Sequence, residues 1–344
     1  MNLPEKIANE RELDDVLSIP MPGVTELMGR LDGDIMILGI AGKMGVSLGR
    51  QAVNAIRAAG VEKSVYGVAR FSDAEQFGKL AEYGIKAIKC DLSDPDEVAK
   101  LPRVKNIIFM AGRKFGTGGG GEALTWKMNV IVPAIVGRHF AGSRMVAFST
   151  GCIYPLIPAD GVNCTEAVTP EPVGEYAQSC LGRERVFESC LGDFGGKLLL
   201  YRLNYAIDLR YGVLHDVASK VWNNEPIQLG VNRFNIIWQG DANAYALRAL
   251  ELADNPAVPL NVTGQETLDI RDIALEFGRA FGREVKFEGE PGTCYLSDAS
   301  RCFELLGRPN VSLEWMVKQQ AEWFLSGGRS LGKPTHFEVN NGKF

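Results

Sequence analysis

The stretch DIMILGIAGKMG, residues 34–45, runs from apolar residues into a G-x-x-G-x-x-G cluster made by Gly39, Gly42 and Gly45, with Lys43 and Met44 inside the same turn. VSLGRQAVNAIRAAG follows with apolar residues at helical spacing, so the order is strand, turn, helix. A turn without Cβ atoms lets backbone N–H groups approach a pyrophosphate, and the helix N-terminus adds partial positive charge. A plain tight turn would also explain the triplet, but its place after the first strand of a series favours a dinucleotide. At the end of the next strand the text reads Val68-Ala69-Arg70-Phe71-Ser72, with no carboxylate to bond ribose hydroxyls. A guanidinium and a hydroxyl suit a 2′-phosphate, so NADP is expected, with NAD the alternative if Arg70 is merely solvated. Asp91 and Leu92 follow the third strand, placed to bond and pack an adenine; an N-cap role for Asp91 or Ser93 serves equally.

These residues need a scaffold, and the chain writes one. Strands at DIMILG, SVYGVAR, IKAIKCD, NIIFMAG, RMVAFST and KLLLYRLN alternate with helical segments, which implies parallel βαβ units. The expected fold is α/β, a doubly wound parallel (Rossmann) sheet with a smaller C-terminal substrate domain. The expected divisions are an N-terminal extension, residues 1–33, packed on the surface; a dinucleotide-binding domain, 34–204, to which 232–255 returns; and a substrate-binding domain from 205–231 and 256–344. The chain has 344 residues, of which 46% are apolar, enough for a core of that size. A net charge of -5 offers no field for nucleic acid or an anionic membrane, so neither is an expected partner. The polar N-terminus lacks the pattern of a secretory signal, and a cytoplasmic location is expected. Seven cysteines without a C-x-x-C pair and three scattered histidines suggest neither a disulfide framework nor a metal site.

In order and spacing the chain resembles the extended short-chain dehydrogenase/reductase family, which contains nucleotide-sugar epimerases, dehydratases and reductases. The landmarks are GIAGKMG, CDL at 90–92, FMAG at 109–112, Asn129, FSTGCIYP at 148–155, Tyr176, RLNY at 202–205, WQGDANAYALRALE and LNVTGQETLDIRDIA. The resemblance implies an NAD(P)-dependent epimerase or reductase acting on a small sugar, nucleotide-sugar or sugar-acid substrate, with a helix-mediated homodimer common in the family. It places Met110, Ala111, Gly112, Lys114 and Asn129 along the cofactor. It makes Thr150 the hydroxyl that bonds the reacting oxygen and Tyr176 the acid/base that also borders the nicotinamide. Reductive epimerases that make GDP-fucose carry a cysteine in a context similar to FSTGCIYP, which makes Cys152 a candidate acid/base; inert packing is the alternative.

The family follows its tyrosine, four residues on, with a lysine that lowers the phenol pKa; here that position is Cys180. Three readings follow. Another cation, Lys114 or Arg183, substitutes, although Arg183 lies about 10 Å along the helix axis. Alternatively, Cys152 or Cys180 carries the proton. Finally, hydride chemistry has been lost and the chain is a redox-inactive nucleotide sensor. Retention of Thr150 and Tyr176 favours chemistry, and the loop RKFGTGGGG can close over a site. At the substrate end Asn204 matches the family's strand-end asparagine, whereas Tyr205-Ala206-Ile207-Asp208-Leu209-Arg210 departs from its pattern. Arg210 and Arg233 could hold a phosphate or carboxylate, with salt bridging the simpler fate. Asp241 reads as a helix N-cap, and the tail with Lys333 and His336 reads as surface.

Overall fold

The computed structural model describes residues 3–71, 74–116 and 119–342. Seven parallel strands form the central sheet: β1 (Ile35–Leu38), β2 (Val65–Ala69), β3 (Lys86–Lys89), β4 (Asn106–Phe109), β5 (Arg144–Thr150), β6 (Lys197–Leu203) and β7 (Val258–Val262). Their spatial order is β7-β6-β5-β4-β1-β2-β3, so the direction of winding reverses between β1 and β4. The strands are continuous apolar runs because both faces are covered. Ile35 and Ile37 of β1 face one core, while Met36 and Leu38 face the other. The seventh strand falls inside the segment expected to belong to the smaller domain; register Val258 to Leu199 through Val262 to Leu203 joins it to the sheet instead.

Residues 1–33 are not a surface extension. α1 (Glu10–Leu17) is capped by the Asn9 side chain, which accepts from Glu12 N. It buries Leu13, Val16 and Leu17, spaced to form one helical face. α2 (Pro22–Arg30), begun by Pro22, buries Val24, Leu27 and Met28. The two helices enter different cores, α2 the one beneath the sheet and α1 a second one formed largely by the C-terminal half. Between β1 and β2 lies α3 (Gly45–Ala58), against which both pack.

α4 (Ala74–Glu82), α5 (Pro95–Ala99), α6 (Glu122–Trp126), a π-helical turn (Lys127–Ile131), α7 (Val132–His139) and α8 (Gly174–Gly192) complete the first half. Around the second core α9 (Val213–Trp222), α11 (Ile270–Phe281) and α13 (Leu313–Leu325) pack together, while α10 (Gln239–Arg248) and α12 (Ser300–Leu306) lie against the sheet core. Segments near both ends of the chain tie these helices down. Gln319 of α13 accepts from Ile7 N at 2.9 Å and donates to Glu5 O at 2.8 Å. After α13 the chain returns to bury Thr335 and Phe337, then brings Gly342 against Gly174 at the start of α8, where a Cβ on Gly174 would stand 2.6 Å from Gly342 Cα. Among the described residues no helix is long and apolar enough to cross a membrane.

Because Leu17 is fully buried, Leu17→Ala is expected to cost about 2–5 kcal/mol in urea unfolding. A change under about 0.5 kcal/mol, the scale of an exposed site, would contradict the packing described.

Candidate active site

Two connected cavities open at the carboxyl ends of the strands, where the winding reverses. The adenosine-sized cleft, about 750 Å³, is lined by Arg70, Asp91, Leu92 and Ala111 together with Gly39, Gly42, Met110 and Gly112. The second, about 300 Å³, shares Gly39, Gly42, Met110 and Gly112 and continues past Lys43, Met44 and Lys114 to Thr150 and Tyr176. One elongated ligand can thus run from Asp91 across the glycine turn to Tyr176.

The glycine turn fits a pyrophosphate. Gly39 has φ +92, and a Cβ there would stand 2.7 Å from Ala111 N. Gly45 serves packing: its Cβ would collide with Ile40, 2.6 Å from the Cα. Gly42 borders both cavities, and no side chain caps the N-terminus of α3. A dinucleotide would therefore find the open amide end of a fourteen-residue helix. Arg70 is exposed at the mouth of the adenosine cleft, and Lys89, which sequence reasoning passed over, lines it too. Ser72 lies outside the described residues. Asp91 uses its carboxylate to accept from Ser93 N at 2.9 Å, which holds its pKa below the usual carboxylate range.

At the other end Thr150 closes β5 and Tyr176 opens α8. A buried network pins that helix: Glu184 accepts from Ser149 Oγ at 2.5 Å and from Arg202 Nε and Nη2 at 3.1 and 2.8 Å. Arg202 also donates to Tyr154 Oη, which donates to Asn261 Oδ1, each at 2.8 Å. The Tyr176 phenol hydrogen-bonds the Thr150 hydroxyl and the Cys180 thiol. Burial drives its pKa well above the ordinary value, and the neighbouring thiols Cys180 and Cys152 add to this, while Arg183 and the Thr150 hydrogen bond oppose it. The phenol of the free protein is therefore a proton donor at neutral pH. Cys180, on the same helix face, is pushed up to about 11 by burial.

Several expectations meet a different geometry. Cys152 is buried, packed with Ala177 and Tyr295 one layer behind the cavity wall, and its amide donates to Thr150 Oγ1 at 3.1 Å. Burial raises its pKa even with Lys114 nearby, so a thiolate base is disfavoured. Asn129 sits in the π-helical turn behind the wall, accepting from Arg113 N and donating to Arg113 O and Ser179 Oγ. Asn204 is buried and donates to Tyr295 O at 3.3 Å. Arg210 is committed to Asp208 and Asp14, each at 2.9 Å, and Arg233 to the carbonyls of Ala159 and Gly161. Asp241 is no N-cap: it lies inside the first turn of α10 and accepts from Asn310 and Val311. Of the glycine-rich loop, Thr117 and Gly118 lie outside the described residues.

Sequence reasoning also missed groups that the fold imports. Tyr205, Tyr211, Gln239 and Thr335 line the inner cavity, Thr335 from the tail read as surface. Thr335 is held by Asp216, to which its N and Oγ1 donate at 2.8 and 2.6 Å, and its carbonyl accepts from Lys114 Nζ at 3.4 Å. Lys43 Nζ lies 2.9 Å from the Tyr211 ring centroid and 5.3 Å from that of Phe115, over which Lys114 also sits at 5.3 Å. Burial, and then repulsion from Lys114 and Lys333, bring Lys43 down to about 7.

No family model matches the chain, and no curated protein aligns with it. Solved structures do share its fold. The UDP-glucose 4-epimerase of Thermotoga maritima, solved with UDP-glucose, superposes with a TM-score of 0.69 at 19% identity, covering 86% of this chain and 99% of that one. A UDP-glucuronic acid 4-epimerase from Bacillus cereus, in complex with UDP-glucuronic acid and NAD, gives 0.68 at 17% identity over 85% and 99%. A dTDP-glucose 4,6-dehydratase from Streptomyces venezuelae, with NAD bound, gives 0.71 at 17% identity over 85% and 97%. The chain thus has the Rossmann-type α/β fold of these epimerases and dehydratases.

The Lys43 environment sets a pH dependence. In the free site the ammonium is lost as pH rises through about 7, and a bound phosphate favours its return. Dinucleotide affinity, measured by fluorescence titration, is expected to weaken by up to about tenfold per pH unit above that midpoint. Lys43→Gln is expected to flatten the dependence, and a wild-type affinity independent of pH would contradict it.

Proposed function

We propose that the protein is a nicotinamide-dependent oxidoreductase or epimerase acting on a carbonyl or hydroxyl of a sugar, nucleotide-sugar or sugar acid, with a preference for NADP(H). The observation that carries this is the convergence of Thr150 and Tyr176 at the inner end of a cavity whose other end is an open glycine turn. The nicotinamide, when bound, supplies or accepts hydride at a substrate carbon. Thr150 orients the reacting oxygen by a hydrogen bond. Tyr176, its phenol protonated in the free protein, gives that oxygen a proton on reduction and recovers it on oxidation. Phe115, Tyr205 and Tyr211 provide an apolar wall suited to the face of a sugar ring. The fold relatives act on, or are solved with, nucleotide sugars, in keeping with such a substrate.

For the cofactor, Arg70 and Phe71, which directly follow β2, carry no carboxylate, and the cations Arg70 and Lys89 at the adenosine cleft favour the 2′-phosphate. Arg70→Ala is expected to raise the NADPH dissociation constant by about tenfold and leave NADH within about twofold. Equal losses for both would refute the preference. Absorbance of the reduced nicotinamide, followed with a panel of sugar carbonyls, tests the reaction itself. Turnover is expected in wild type and a loss of at least about 100-fold in Tyr176→Phe. Cofactor that binds yet never changes oxidation state would leave a nucleotide sensor. Cys152→Ala separates the two chemistries: retained scrambling at the carbon centre removes Cys152 from epimerisation.

A further inference from the structure

Tyr176 lacks the cation expected four residues along its helix, yet Arg183, on the same face of α8, lines the same cavity. We infer that Arg183 is the positioning residue that supplies a fixed positive charge to the Tyr176 phenol, replacing a lysine that position 180 does not carry. This rests on the function proposed above, and it deepens that reading by naming what tunes its acid.

Although Arg183 lies seven residues beyond Tyr176, helical side chains lean toward the N-terminus, and an arginine is long enough to span back along the groove. The structure shows where it goes. Nη1 donates to Phe148 O at 2.8 Å and Nη2 to Asn129 Oδ1 at 2.6 Å, so the guanidinium is anchored to β5 and to the π-helical turn. Its carbon centre lies 5.8 Å from the Phe109 ring centroid. Gly112 makes the room: a Cβ there would come within 2.9 Å of Asn129 Oδ1 and closer still to Arg183 Nη2. The group is 6% exposed yet lines the inner cavity. Its Nε–H is buried and has no partner among the described residues.

The charge acts where chemistry needs it. Arg183 lowers the pKa of both Tyr176 and Cys180, against burial that raises them. Other groups near the phenol include Thr150 and Cys152 from the end of β5 and Cys180 from α8, with Lys114, from the loop after β4, acting on both thiols.

The test titrates the Tyr176 phenol in cofactor-free protein by phenolate difference absorbance, with Tyr176→Phe as the blank. Arg183→Met is expected to move the midpoint up by about one pH unit or more and to lower kcat/KM on the order of tenfold. Cys180→Lys in that background is expected to bring both back. Should Arg183→Met fail to fold, Gly112→Ala, which displaces the guanidinium without removing it, is expected to raise the midpoint likewise. An unmoved midpoint in the folded variants overturns the inference, as does a midpoint that moves in Lys114→Met instead. Failure of wild type to bind NADPH would refute the proposed function and leave this titration to decide the role of Arg183.

Discussion

Glu184 and Arg202 form the buried ion pair on which the rest of the site depends, at 2.8 Å with both side chains almost wholly excluded from water. Removing two charges from solvent is costly, and only full hydrogen bonding recovers the cost. Here it is met: Ser149 satisfies the carboxylate from β5, and Tyr154, backed by Asn261 of β7, satisfies the guanidinium from the other side. The pair joins α8 to β5 and β6 and so sets how Tyr176 stands relative to Thr150. Breaking one partner would strand a charge in the core, and such pairs therefore fix geometry even where they add little net stability.

The site draws on distant parts of the chain. Glycines near residue 40 hold one end, β5 and α8 the other, and the tail contributes Thr335 through Asp216. The N-terminal helices support this indirectly: Gln51 of α3 donates to Ile19 O and Gly240 O, tying the linker between α1 and α2 to α3 and α10. α3 begins at the glycine turn, so that support bears on the cofactor end. A segment that looks peripheral in the sequence is thus part of the scaffold.

What could be read from the sequence was what local rules govern. Apolar runs marked the strands, and the glycine triplet, Thr150 and Tyr176 fell where strand ends meet helix starts. The role of residues 1–33 was hidden by charge: Glu10, Asp14 and Asp15 sit beside Leu13, Val16 and Leu17 in a stretch that is amphipathic at helical period, a signal present in the text and passed over. Asp241 was misjudged because the helix starts three residues earlier than its apolar pattern suggests. Asn204 was assigned to substrate by position, whereas Tyr295 engages it, and Arg210 takes the salt bridge that was the simpler of its two readings, with a partner supplied by α1. The reach of Arg183, one of two cations the sequence offered, was read from its Cα position alone; side-chain length and the space at Gly112 are properties of the folded state. Cys152 carried the right neighbours in sequence, yet burial behind Thr150 is decided by packing with Tyr295, over a hundred residues away.

The account stands on one ligand spanning both cavities, and a crystal structure of the complex with NADPH tests it most directly. The expected density places the 2′-phosphate beside Arg70, the pyrophosphate over Gly42 and the nicotinamide against Thr150 and Tyr176. A dinucleotide bound elsewhere, or one whose nicotinamide ring turns away from that hydroxyl pair, would contradict the account.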